Sequence, residues 1–447
     1  MTLLNPMYGY ADEIECPYAN IKPTEAQFKK ILKNHSEWVK YFEKEMAGEI
    51  ENLYNVSLSK ENIEKAKIIF SDGRFAELCQ ADLSGMRLND VNLAYASLPG
   101  ANLTNTTISN SNFFGTHLAT ANMQKAKIYD SNFTHVNFSS SNMSYVVFFG
   151  SNLKQAKFNN VNMMGAIFLE ADLTKAIFSD TNLSNVNFRD STLTDGYFMG
   201  CDLSNALIYN TGLKNVKFTS SILTNVLFQP KSDSLPIISS IVLLKNLSSM
   251  YYKSNVQGLV QLRKAFRDAG FRDQEREITY AIKHTETKQL LEGGFFEKLD
   301  ASFRLIFFEW TTNWSLNPGK ALIVLISLTG FFFFFYLVAL QAPEPRNGIW
   351  RYRFEDRPID VDQPDKALVH FESFWKTVSI AMYFSILSAF HFGWRDLNVG
   401  NWVVRLQFTE YTLRATGWVR TVSGIQSLIS VYLVAIWALT YFGRPFE

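Results

Sequence analysis

The chain has 447 residues, with Lys+Arg 43 against Asp+Glu 42 and a formal charge of +1. That balance excludes a nucleic-acid binder driven by bulk charge, and 47% hydrophobic residues exclude a disordered chain. Three cysteines, Cys16, Cys79 and Cys201, are spaced for neither a disulfide framework nor a metal site, which points to a reducing compartment. Phenylalanine stands out at 38 residues: thirteen fall between 76 and 230, nineteen between 295 and 447. The two clusters follow different periodicities and are different physical objects.

Residues 1–75 predict an N-terminal helical cap. Thr24-x-x-Gln27 has the spacing of a capping box. Phe28, Ile31, Leu32, Trp38, Tyr41 and Phe42 then recur at roughly helical intervals. No basic stretch followed by an apolar run opens the sequence, so no cleaved signal is expected.

From Leu78 to Phe228 every fifth residue is large and apolar, giving 31 units without one insertion. Two residues before each stands a small or β-branched one, as at Ala81, Val91, Ala101 and Ser111, and Asn or Asp often stands between. Neither the 3.6-residue helix nor the two-residue strand has this period. A coil that turns a corner once per unit does, and stacked coils would bury what no single unit can. Large positions ending in 8 are mostly Phe from 138 to 228, and those ending in 3 mostly Leu or Met. Alternate faces should therefore carry stacked Phe. His117 and His135 have no carboxylates spaced around them and read as surface or rung residues.

The unit Ala-(Asp/Asn)-Leu-x-x resembles the pentapeptide-repeat family over residues 76–230. The resemblance implies a right-handed, quadrilateral β-helix with four units per coil, roughly 37 Å long at ~4.8 Å per rung. Some members of that family mimic DNA and protect topoisomerases, which needs a strongly acidic surface. Here nine Lys/Arg face ten Asp/Glu, so a DNA mimic and a nucleic-acid partner are set aside.

Residues 231–317 predict a helical adaptor, with two helices flanking Ala269-Gly270. The run from Leu262 to Phe271 resembles the helical-hairpin linkers that follow pentapeptide repeats.

Residues 318–447 predict an α-helical transmembrane module. The stretches 321–340 and 424–443 are uncharged twenties, each long enough at ~30 Å for a bilayer span. Between them, 374–394 is apolar but carries hydroxyls. On a helical wheel Thr377, Ala381, Ser385, Ser388 and His391 share one arc, readable either as a packing face or as a water-facing stripe. The order of span, polar-lined segment and span resembles two-helix potassium channels with a re-entrant pore loop. The filter run would fall on His391-Phe392-Gly393-Trp394-Arg395-Asp396. Gly393, Trp394 and Asp396 match; Arg395 replaces a glycine and the preceding Thr-Val pair is absent, so potassium selectivity does not follow. Thr377, Ser385, Ser388, His391, Gly393, Trp394, Arg395 and Asp396 are thus the pore-lining candidates.

Two topologies stay open. With a pore loop, 341–373 and 395–423 share one side of the membrane; with a third span they lie on opposite sides. Lys/Arg counts of five in 341–373 and four in 395–423 decide nothing, and the excess of positive charge in 395–423 leans to three spans; the pore loop is preferred because 374–393 is the least hydrophobic of the three stretches. Residues 402–422 read as an interfacial amphipathic helix. No phosphate loop, H-E-x-x-H motif or acid–base pair occurs, so no enzyme, cofactor or metal is expected. The expected protein is a multi-pass protein of the cytoplasmic membrane with its β-helix in the cytosol. It is an oligomeric ion channel or pore gated or localised by the solenoid and adaptor, with a stress or defence role as one possibility. The alternative is a membrane-anchored scaffold whose β-helix docks a partner protein. The expected partners are the lipid bilayer and further copies of the chain.

Overall fold

The structure is a computed structural model. It describes residues 18–45, 76, 78–242, 244–341, 348–353, 374–390, 411–443 and 446. The chain forms two compact units, Met1–Thr285 and Glu286–Glu447.

The first unit is built on the five-residue repeat. All 31 register positions from Leu78 to Phe228 are buried. Eleven three-residue strands, β1 (Arg87–Asn89) through β11 (Leu227–Gln229), pair in parallel with an offset of 20 residues, as in Leu88↔Ile108 and Phe158↔Phe178. Isolated bridges continue the same offset between strands, for example Asn102↔Asn122. A 20-residue offset places four units in each coil, and the stack makes a β-solenoid of about 7 turns. The central residue of each strand is buried and in all but β11 its two neighbours are at least partly exposed, as at β4 (Val147–Phe149). The Phe columns form as expected: Phe158, Phe178 and Phe198 stack at 4.7 and 4.6 Å, and Phe148, Phe168 and Phe188 at 5.3 Å.

Sequence periodicity located the inward residues; the corners obey a second rule. Every position ending in 0 or 5 from Gln80 to Asn225 has positive φ. Asn, Asp and Gly fill most of these sites, since they tolerate the left-handed region best. The recurrent Asn or Asp before each large residue serves the corner as well. Its side-chain oxygen accepts the N–H two residues on, as Thr104 N donates to Asn102 Oδ1 at 3.2 Å. Its amide reaches the coil beneath, as Asn132 Nδ2 donates to Asn112 Oδ1 at 3.0 Å.

Both open ends are covered. Helix α1 (Glu25–Glu45) starts on the capping box: Thr24 N donates to Gln27 Oε1 at 2.8 Å, and Gln27 N to Thr24 Oγ1 at 3.3 Å. Phe28 joins the solenoid core, with Ile31 and Leu32 packed against it. His35 is fully buried and bridges two chain segments, with Nε2 2.9 Å from Ala94 O and Nδ1 accepting from Ala76 N at 3.2 Å. At the other end, α2 (Gln257–Asp268) and α3 (Arg272–Leu291) flank Gly270, whose φ is +80°. Leu259, Leu262, Phe266, Ile278 and Ile282 complete the same core.

Cys79 is disulfide-bonded, and Cys201 is a buried free thiol. The reducing compartment read from cysteine spacing therefore loses its support. Spacing along the chain is no measure of distance once the chain folds back on itself.

The second unit holds α4 (Phe295–Arg304), continued by a π-turn (Leu305–Glu309) and Trp310–Thr312, then α5 (Lys320–Gln341). It continues with β12 (Gly348–Arg353), α6 (Phe374–Phe390), β13 (Tyr411–Thr416) and α7 (Gly417–Phe442). One expectation fails here: 411–416 is a strand, not part of an amphipathic helix, because it pairs with β12 through six antiparallel partners. Alternating Thr412, Arg414 and Thr416 fit a strand, whereas the helical reading rested on apolar residues counted without their period. Residues 402–410 lie outside the described residues.

Candidate functional site

Helices α5, α6 and α7 pack together and hold the polar residues singled out between the two apolar stretches. Helix α5 is ~33 Å long and α7 ~39 Å at 1.5 Å per residue, against ~25 Å for α6. The first two are long and apolar enough to cross a membrane, and only 28% and 22% of their most apolar stretches are buried. A core helix of a soluble protein would be mostly covered. Here Ile323, Ile326, Phe331, Phe334 and Val338 of α5 and Leu428, Leu439 and Phe442 of α7 are exposed.

The inner faces carry a hydrogen-bonded seam. Tyr336 Oη on α5 donates to Gln426 Oε1 on α7 at 2.6 Å. Gln426 Nε2 donates to the Ser385 carbonyl at 2.9 Å and lies 3.2 Å from Ser385 Oγ. Ser385 Oγ donates to Thr329 O at 2.7 Å, and Ser423 Oγ to Ser388 Oγ at 2.9 Å. Apolar packing surrounds it: Phe332, Tyr336, Ala339, Ala381, Phe384 and Val419 share one cluster.

Of the candidate residues, Thr377, Ser385 and Ser388 are buried together with Ala381 on the inner face of α6. Within one chain Ser385 and Ser388 are bonded to the neighbouring helices. His391, Gly393, Trp394, Arg395 and Asp396 lie outside the described residues. Sequence reading missed Tyr336, Gln426 and Ser423. The signal was there: Gln426 is an amide inside an apolar twenty, and such a group needs a named partner.

The order of contacts along the helices fixes their directions. Near its C-terminal end α5 shares a cluster with Ala381 and Phe384 of α6. Further back, Thr329 meets Ser385. Phe390, at the end of α6, packs with Ala321, Val324 and Leu325 of α5 and Leu433 and Ile436 of α7. Helix α6 thus runs antiparallel to α5, away from the end where β12 and β13 pair. Among the described residues no group of three or more His, Cys, Asp or Glu converges into a metal site.

A stack of parallel coils with a 20-residue register and one left-handed corner per five residues defines a pentapeptide-type β-solenoid. Two family models match it: the pentapeptide repeat region over residues 151–228, and pentapeptide repeats (8 copies) over 74–110, 101–139 and 131–169. Among solved structures the chain is similar to QnrB1, a plasmid-mediated fluoroquinolone resistance protein, at 17% identity over 41% of this chain and 96% of that one, with a TM-score of 0.27. It is similar to HetL of Nostoc sp. strain PCC 7120, involved in heterocyst differentiation regulation, at 16% identity over 37% and 86%, TM-score 0.21. Rfr23 of the cyanobacterium Cyanothece 51142 gives 16% over 27% and 85%, TM-score 0.19. No curated protein matches the chain significantly.

Proposed function

We propose that this protein is an integral membrane protein whose C-terminal unit, as an oligomer, forms an ion pathway, with the pentapeptide solenoid as its cytosolic gating or localising part. The observation that carries the reading is the β12–β13 ladder. Gly348↔Thr416 through Arg353↔Tyr411 join the chain leaving α5 to the chain entering α7. The end of α5 and the start of α7 then lie at one end of the helices, which supports a pore loop over three spans. Helix α6 enters from that end and stops at Phe390, near the far end of α5. The sequence between Phe390 and Tyr411 begins with His391-Phe392-Gly393-Trp394-Arg395-Asp396.

In this reading His391, Gly393, Trp394, Arg395 and Asp396 line the pathway. Thr377, Ser385 and Ser388 hold α6 at its depth, and Ser385 and Ser388 do so through the seam. A guanidinium at position 395 opposes a potassium-type filter by like-charge repulsion. Purified protein in planar bilayers should pass discrete currents, and Arg395→Gly should change their selectivity. Silent bilayers with folded protein would contradict the proposal. The cytosolic orientation requires the Cys79 disulfide of the structure to be open in the cell, since disulfides rarely persist in the cytosol. Alkylation in intact cells should find the Cys79 thiol free; a disulfide already present there would place the solenoid on an oxidising side.

A second reading, a membrane-anchored scaffold, is favoured by one face of the solenoid. Tyr129, Val147, Phe149, Ile167, Leu169, Leu207 and Tyr209 flank rungs of one column of strands and are half-exposed, with Asn187 and Arg189 on the rung between Leu169 and Leu207. An apolar stripe of this kind suits a protein partner. Function preserved after replacing residues 318–447 with an unrelated anchor would favour the scaffold over the channel.

A further inference from the structure

We propose that the helical segment from Phe295 to Thr312 lies flat in the headgroup layer of the membrane, with one apolar face in the lipid. The inference rests on the membrane reading above. Phe295, Phe296, Leu299, Phe303, Ile306 and Trp310 are all exposed, Phe296 at 81% and Phe295 at 76%. At ~100° per residue the four on α4, Phe295, Phe296, Leu299 and Phe303, fall within about 100° of one another, and Ile306 and Trp310 follow across the π-turn. The opposite side is used by the protein. Ala301, Thr311 and Thr312 are buried, and Phe308 packs edge-on against Phe446 at 5.3 Å and beside Trp314 at 5.0 Å. Tyr432 Oη on α7 donates to the Phe307 carbonyl, and the two rings meet edge to face. The segment is therefore fixed to the C-terminal half of α7, with its apolar face turned away from the contact.

Two further observations select lipid as the occupant. The exposed surface is continuous in sequence with that of α5, whose Ile323 and Ile326 are 63% and 72% exposed a turn or so beyond Lys320. The charges at the margins of the face are compensated. Arg304 Nε lies 2.9 Å from Asp300 and its Nη1 3.7 Å from Glu286. Lys320 Nζ donates to Asn313 Oδ1 at 2.8 Å, which ties the start of the span to the end of this segment. An apolar arc with charged margins and a Trp at its span-proximal end is the pattern of an interfacial helix. Lying there, it sets the depth at which α5 enters the bilayer.

The test uses the full chain reconstituted in vesicles of phosphatidylcholine and phosphatidylglycerol, in a Cys16→Ser, Cys79→Ser, Cys201→Ser background. Ser or Thr already fills the rungs next to Cys201 at Thr181 and Ser221, so the change there is mild. Nitroxides are placed at Phe296→Cys, Leu299→Cys and Phe303→Cys, with Phe334→Cys in α5 as the bilayer reference and Tyr145→Cys on the solenoid as the aqueous one. The ratio of collisions with oxygen to collisions with a water-soluble nickel chelate is then measured. The three sites should match Phe334→Cys and exceed Tyr145→Cys several-fold. Aqueous ratios at all three with a lipid ratio at Phe334→Cys overturn the inference and leave the membrane reading standing. Shielding from both reagents with spin–spin broadening also overturns it, in favour of a second copy on this face. An aqueous ratio at Phe334→Cys removes the membrane reading itself.

Discussion

At the residue scale the solenoid is governed by which side chains tolerate a left-handed corner. Gly165 has φ +69°, and a Cβ there would stand 2.7 Å from the Tyr145 ring; Gly85, at +67°, has nothing within 4 Å. Gly85→Ala should therefore show the conformational cost alone, ~1–2 kcal/mol, and Gly165→Ala more than that. Adding Tyr145→Ala to Gly165→Ala should return the cost to the Gly85→Ala level, read by urea denaturation of the full chain. His35 gives a pH test. Burial pushes its pKa down to about 4, while the unfolded chain titrates near the ordinary 6.5. Between those values the unfolded state binds more protons, so this contribution is complete above pH 6.5 and is lost as pH falls toward 4. The protection of α1 amides, corrected for their intrinsic exchange rates, should fall from pH 7 to pH 5, and His35→Gln should flatten that dependence. The inward residues were legible because burial repeats every five positions. The corner rule was legible too, in the Asn, Asp and Gly at positions ending in 0 and 5, but it is interrupted by residues such as Lys125 and Tyr145 and so reads weakly.

At the element scale the second unit depends on one seam between three apolar helices. Gln426 holds Tyr336 and Ser385 at once. Interhelical hydrogen bonds in apolar surroundings contribute ~0.6 kcal/mol on average and up to ~1.7. Gln426→Leu breaks the bonds to both partners and should lower stability by about 1–3 kcal/mol. A cycle with Tyr336→Phe should give a coupling near that of one bond, measured by thermal melts in detergent; additive effects would show that the two groups act separately. The long apolar helices and the two-helix adaptor were plain in the sequence, because length and periodicity announce them. The β12–β13 pairing was not. It joins residues about sixty positions apart, and neither strand is unusual in composition. Tertiary pairing decided the conformation of 411–416, where local pattern suggested a helix.

At the scale of the whole molecule the near-zero charge and the abundance of Phe have separate causes. The neutral solenoid spends its Phe on stacked rungs; the second unit leaves Phe exposed along α5, where Phe331 and Phe334 are 54% and 62% accessible. A chain that combines a soluble rod with a surface of that kind needs a solvent for each. The membrane reading supplies the second solvent. The most direct measurement is labelling of intact cells with a membrane-impermeant thiol reagent after placing cysteines at Asp360, Gln407 and Tyr145 one at a time. The account predicts that Asp360→Cys and Gln407→Cys label from the same side and Tyr145→Cys from the other. Labelling of Asp360→Cys and Gln407→Cys from opposite sides would contradict it.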